Sequence, residues 1–188
     1  GEPTYDANLR DEPLFLVCTN GKRDRCCARS GFPVYQAMAA CAGRDVWQTT
    51  HLGGHRFAAT GVVLPHGACY GRITETDAQR LVDEYREGRI ILERYRGRSC
   101  YEKHVQAAEH ALRQKTGIME LAHFQLADTQ MLGEDEWGVA FTAPDGVVHN
   151  LQIRRRLTDR QRVESCTAEQ PTRVARYDVT AYRVNQGR

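Results

Sequence analysis

No two cysteines in this chain stand two residues apart, so the arrangement that a dithiol oxidoreductase ordinarily uses is missing. Cys18 is followed six positions on by Asp24 instead of arginine, which removes the thiol-phosphatase pattern as well. No apolar run approaches the roughly 18 residues that a membrane-spanning helix needs. The opening G-E-P-T-Y-D has no basic segment leading into an apolar one, so no secretory signal is expected there. Charge of one sign is also lacking: the net value is +2, too small for bulk electrostatics to select a partner. One dense basic run, Arg154-Arg155-Arg156, lacks interleaved aromatics and reads as a solvated strand end, so no nucleic-acid contact is expected. An even cysteine framework is absent, since there are seven. Cys41, Cys69 and Cys100 have apolar neighbours and read as buried thiols of a reducing compartment, by default the cytoplasm. Repeats and low-complexity tracts are missing too.

What remains is an ordinary globular chain. Its 188 residues, 41% apolar and 27% charged, suffice for one large domain or for a domain with a smaller extension. P-L-F-L-V-C ending at Cys18 reads as a buried strand. A helix is expected from about Gly31-Phe32-Pro33 to a cap at Gly43, then a strand over Asp45–Thr50 that delivers His51. Arg56–Leu64 and Ala68–Ile73 read as hairpin partners, and Thr74 with Asp77 as the cap of a helix bearing Leu81, Val82 and Tyr85. The order is β-α-β-β-β-α. Beyond it, Tyr101–Lys115 has a helical pattern stopped by Gly117. Strand patterns follow at Met119–Ala127, Trp137–Ala143, Val147–Ile153 and Ala175–Val184, with a turn at Pro144-Asp145-Gly146. An α/β core over residues 1–97 and an α+β extension over 98–188 are therefore expected, the second packed on the first or continuing its sheet.

Chemistry concentrates in two short stretches, Cys18-T-N-G-K-R-D-R-Cys26-Cys27 and His51-L-G-G-His55. The histidines have the i, i+4 spacing of a zinc protease. However, Leu52 stands where that motif needs glutamate, and Gly53-Gly54 is a poor helix interior. A glycine-rich loop suits them better, because it folds tightly enough for both imidazoles to converge. Lys22, Arg23 and Arg25 favour thiolates nearby. Two cysteines and two histidines can hold zinc or a [2Fe–2S] cluster, and spacing alone does not separate the two. Two further readings stand beside these: direct thiol chemistry at Cys26 or Cys27, or adjacent cysteines and a histidine that only pack.

Taken together and in this order, C-T-N-G-K-R-D-R-C-C-A and H-L-G-G-H-R-F-A-A resemble the sucrase/ferredoxin-like family. The stretch V-E-S-C at Cys166, ahead of P-T-R-V-A-R-Y-D-V, resembles its C-terminal region. The resemblance implies a thioredoxin-like βαβββα fold and a [2Fe–2S] cluster bound by Cys18, Cys27, His51 and His55. It leaves Cys26 as a bystander. It further implies an electron carrier more than a stand-alone enzyme, working with a redox protein such as a reductase or an acceptor. Histidine ligation implies a potential above that of a four-cysteine ferredoxin, with electron transfer coupled to histidine protonation as a consequence to test. Of the neighbours, Arg56 and Lys22 are candidates for shielding the site or docking an acidic partner. Trp47 is expected in the core, and His66, His104, His110, His123 and His149 are expected to be structural.

Overall fold

The computed structural model describes residues 12–163 and 169–186, apart from the side chain of His55. Cys166 lies outside the described residues. Strand β1 (Leu14–Cys18) is followed by helix α1 (Arg25–Ala42), β2 (Val46–Thr49), β3 (Thr60–Leu64), β4 (Ala68–Gly71) and α2 (Ala78–Arg86). β5 (Tyr95–Arg98), α3 (Lys103–Thr116), β6 (Gln125–Gly133), β7 (Glu136–Thr142), β8 (Val148–Arg162) and β9 (Thr172–Asn185) complete the chain.

The first sheet has the order β2-β1-β3-β4-β5. β1 and β2 run parallel, joined by the α1 crossover, while β3 and β4 are antiparallel to their neighbours. This βαβ unit followed by a ββα unit is the thioredoxin-like topology that the family resemblance implies. Phe15 and Val17 alternate inward on β1 and pack with Val34, Met38 and Ala42 of α1 and with Leu81, Val82 and Tyr85 of α2. Burying each such side chain contributes about 1.5–3 kcal/mol. Gly43 ends α1 at φ 57°, and Thr74 and Asp77 form the reciprocal capping box ahead of α2.

The second sheet, β6-β7-β8-β9, is wholly antiparallel. Its core joins Val105, Ala108 and Leu112 of α3 to Phe124, Val139, Phe141, Leu151 and Ile153. α3 also faces the first sheet. There Tyr95 Oη donates to both oxygens of the buried Glu109 at 3.1 Å. Arg113 donates to Glu109 Oε1 from Nε and Nη2 at 3.1 and 3.0 Å, and to the carbonyls of Ile118, Glu120 and Leu121. Both charged side chains are completely buried.

Several expectations need correction. Helix α1 starts at Arg25, not at Gly31, because buried Asp24 caps it by accepting from the Cys26 N–H at 3.3 Å. Pro33 therefore lies inside the helix and not in its first turn. Arg56 and Phe57 belong to a 3-10 turn, so β3 begins at Thr60. The Met119–Ala127 strand starts only at Gln125, and β5 escaped notice because Y-R-G-R carries too little apolar pattern. Trp47 is 56% exposed on the sheet edge, where its Nε1 donates to the Arg44 carbonyl, and so it is not core. Cys41 and Cys69 are half-buried and Cys100 is exposed, so the expectation of buried thiols fails there.

Candidate metal centre

Parallel pairing of β1 and β2 sets Cys18 opposite Thr49. The backbone N–H of Thr19 extends the pair by donating to the Thr49 carbonyl at 3.4 Å. The two loops that follow therefore leave the same end of the sheet side by side, one leading to Cys27 and the other to His51.

The first loop returns quickly because Asp24 starts α1 within a few residues. Cys26 and Cys27 then fall in the first turn and point in different directions. Cys26 Sγ donates to Asp24 Oδ1 at 3.0 Å, whereas Cys27 turns inward and is 1% exposed. Gly31, one turn further along, lets the helix rest directly on the end of β1. A Cβ at that position would lie 2.0 Å from the Cys18 carbonyl oxygen, well inside contact distance. The second loop turns through Gly53 and Gly54, both left-handed at φ 78° and 62°, and closes with Phe57 N–H donating to the Gly54 carbonyl at 2.7 Å. Consecutive left-handed residues are accessible to glycine at little steric cost.

The result is a convergence of Cys18, Cys27 and His51, whose donor atoms all lie within 4.8 Å of one another. Cys27 Sγ and His51 Nδ1 are 3.8 Å apart. Of the expected ligands, these come together. His55 begins the 3-10 turn His55–Phe57, and its side chain lies outside the described residues. Cys26 is not part of the group. Asp24 and Gly31 are site-building residues that the sequence reading did not single out as such. An acidic residue two positions ahead of Cys26 was the available signal for the first. The need for a glycine at position 31 becomes visible only once the helix lies on the strand.

The donors suit a soft or borderline cation. Burial first, and then the neighbouring Cys18, push the Cys27 thiol up to about 12. The α1 N-terminus favours a thiolate there, yet burial and the second sulfur outweigh it. A metal bound there would need the Cys27 thiolate and would displace its proton. The group fits a metal with sulfur and nitrogen ligands. The raised Cys27 value counts against a nucleophilic thiol at that position, which needs its pKa lowered.

The surrounding histidines serve other purposes. His104 stacks on Trp137 at 4.8 Å between ring centroids. His149 Nδ1 meets Tyr182 Oη at 2.8 Å, and His66 Nδ1 meets Tyr85 Oη at 2.9 Å. Among the described residues, no helix is long and apolar enough to cross a membrane.

The chain is 31% identical over 103 residues to altered inheritance of mitochondria protein 32 of Meyerozyma guilliermondii, a match covering 49% of the chain and 36% of that protein. It thus spans about a third of the relative's length. Among solved structures, the wild-type thioredoxin-like [2Fe–2S] ferredoxin of Aquifex aeolicus aligns with 46% of this chain and 97% of its own, at 19% identity and a TM-score of 0.41. A second structure of a thioredoxin-like [2Fe–2S] ferredoxin from Aquifex aeolicus aligns with 49% of this chain and 96% of its own, at 17% identity and a TM-score of 0.42. The sucrase/ferredoxin-like family model matches residues 4–97, a stretch that holds both cysteine and histidine motifs and ends before the V-E-S-C segment. Half of the chain is covered, and the chain belongs to the sucrase/ferredoxin-like family.

Proposed function

We propose that the chain is an electron carrier that holds a [2Fe–2S] cluster through Cys18, Cys27, His51 and His55. In this reading residues 1–97 form the ferredoxin core and residues 98–188 an α+β extension. The observation that carries the proposal is the convergence of two buried thiols and an imidazole within 4.8 Å at the end of the sheet. When bound, such a cluster accepts and returns one electron.

The chain's own part is to hold the donors and shield them. β1 fixes Cys18, the first turn of α1 fixes Cys27, and burial of both sulfurs keeps water from them. His51 turns Nδ1 toward Cys27. Coupling of electron transfer to histidine protonation belongs to this reading, and a redox titration without pH dependence would overturn that part of it.

A mononuclear zinc site is the second reading. Ligands on one tetrahedral zinc stand about 3.6 Å apart for typical Zn–S and Zn–N bonds. The 3.8 Å between Cys27 Sγ and His51 Nδ1 is close to that. Anaerobic purification separates the two. Visible absorption, with equal amounts of iron and acid-labile sulfide, supports the carrier. A colourless protein that keeps one zinc per chain through dialysis supports the alternative and overturns the first reading.

A further inference from the structure

The densest basic run in the chain is neutralised within the fold. Arg154 pairs with Glu136, Arg155 with Asp135 and Arg156 with Asp178, all across or beside the second sheet. Six cations scattered through the sequence do the opposite. Lys22 and Arg23 lie on the loop after β1, Arg25 at the start of α1, Arg56 in the 3-10 turn before β3, Arg72 just after β4, and Arg96 in β5.

The strand registers bring these segments to one end of the first sheet. β1 and β2 finish there together, and antiparallel β3 starts there. Thr60 at the start of β3 pairs with Gly71 at the end of β4, and Tyr70 pairs with Tyr95. All six residues are exposed, although the Arg96 guanidinium is partly desolvated against the Phe57 ring. Among the described residues, none of the six has a carboxylate at ion-pair distance. The one carboxylate within these segments, Asp24, is buried as the α1 cap.

Three of the cations share a fixed support. The guanidinium carbons of Arg56, Arg72 and Arg96 lie 4.8, 5.3 and 3.5 Å from the centroid of the Phe57 ring. The ring is itself held by backbone, since Phe57 N–H donates to Gly54 O and Phe57 O accepts from Arg72 N–H, each at 2.7 Å. Like charges so close repel. Desolvation first, then the charges of Arg56 and Arg72, hold the Arg96 guanidinium below its ordinary value. Attraction to the ring offsets part of that cost, and an anion brought by a partner would offset more.

We propose that this end of the first sheet docks an acidic protein surface, whose carboxylates meet Arg56, Arg72 and Arg96 around Phe57 beside the Cys18, Cys27 and His51 group. The inference rests on the carrier reading and names the chemistry of its partner. Charge contributed from four segments frames the site and does not converge on a point, as a compact phosphate would require. The ring at its centre is already covered by guanidinium and offers no platform for a nucleic-acid base. Leu52 projects from the same loop at 38% exposure, an apolar residue inside a cationic rim, as protein interfaces are built.

The test is fluorescence anisotropy of a labelled poly-glutamate peptide with the full, metal-loaded chain at low ionic strength. A short DNA duplex and inorganic phosphate serve as competitors. Reversing the trio (R56E, R72E, R96E) is expected to weaken peptide binding by about tenfold or more, and physiological salt to weaken it in the wild type. Reversing the paired run (R154E, R155E, R156E) should leave it unchanged. Neutral R56Q, R72Q and R96Q variants with an unaltered circular dichroism spectrum guard against misfolding and should show the same loss in smaller measure. Equal peptide affinity in wild type and both trio variants overturns the proposal. So does displacement of the peptide by DNA or phosphate at lower concentration than by unlabelled peptide. Iron content and colour of each preparation keep the two readings apart: a colourless protein fails the carrier reading, whereas a coloured one blind to the trio fails the docking.

Discussion

Two buried clusters of ionisable side chains lie in this molecule, and their chemistry differs sharply. At the junction of α3 with the first sheet, Glu109, Arg113 and Tyr95 complete one another. Charge is matched, the carboxylate accepts from both partners, and remaining guanidinium donors reach backbone carbonyls. At the end of β1, Cys18, Cys27 and His51 also come together, but there two buried thiols face each other beside an imidazole. Cys27 Sγ and His51 Nδ1 are 3.8 Å apart, and burial pushes the Cys27 thiol away from ionisation. A cluster that satisfies itself is architecture. Sulfur and imidazole donors brought this close are suited to a cation that all of them can bind.

That contrast can be broken, and removal of a sulfur is the harshest trial. C18S and C27S are each expected to abolish retention of the bound metal after gel filtration, by metal analysis, while the metal-free protein unfolds at nearly the wild-type denaturant midpoint. The complementary change is E109A, which strands the Arg113 charge in the interior. It should cost about 3–5 kcal/mol in urea unfolding while the surviving folded protein binds metal with wild-type stoichiometry. If E109A stripped the metal and C27S unfolded the chain, the assignment of architecture and function would be reversed.

G31A acts between these two, because its methyl group would press on the Cys18 carbonyl at 2.0 Å. A loss of about 1–3 kcal/mol is expected from the forced shift of α1. Metal affinity, followed by chelator competition, should fall with it because Cys18 and Cys27 move apart. Acid has the smallest expected effect. Burial first holds His104 and His149 below the ordinary histidine value, against the opposing charges of Glu102 and Asp145. Neutral in the fold, they bind fewer protons than in the unfolded chain. Their stabilisation is therefore complete above about pH 6.5 and is lost progressively as pH falls below it. Asp77 responds later, since the Thr74 and Arg94 bonds outweigh its burial and keep its pKa low. Amide exchange at mildly acid pH should loosen Val139, Phe141 and Ile153 of the second core before Phe15 and Val63 of the first.

How much of this was legible depended on how local each signal is. Caps and turns were readable because they act within a few residues: Gly43, Gly117 and the Thr74–Asp77 box lie where the sequence reading put them. The apolar run ending at Cys18 was legible for the same reason, whereas the joining of the C-T-N-G and H-L-G-G-H stretches came from the family resemblance. Long-range facts were not. The polar residues ahead of Gly31 look like loop until Asp24 is seen to cap a helix whose exposed face they form. Trp47 looks like core until β2 proves to be an edge strand. Arg154–Arg156 looks like a strand's end, yet β8 runs on to Arg162 because β9 pairs with it and supplies Asp178. Scattered arginines reveal nothing until the registers gather them.

The parallel pairing of β1 with β2 carries a consequence for how the protein is made. During synthesis Cys18 and Cys27 emerge well before His51, on a segment that by itself has no partner strand. A parallel neighbour cannot be reached by a tight turn, and the chain must first complete the α1 crossover and return alongside. If the group holds a metal as proposed, its loading is ordered in time: a nascent chain stalled before Val46 would offer the two sulfurs without the imidazole.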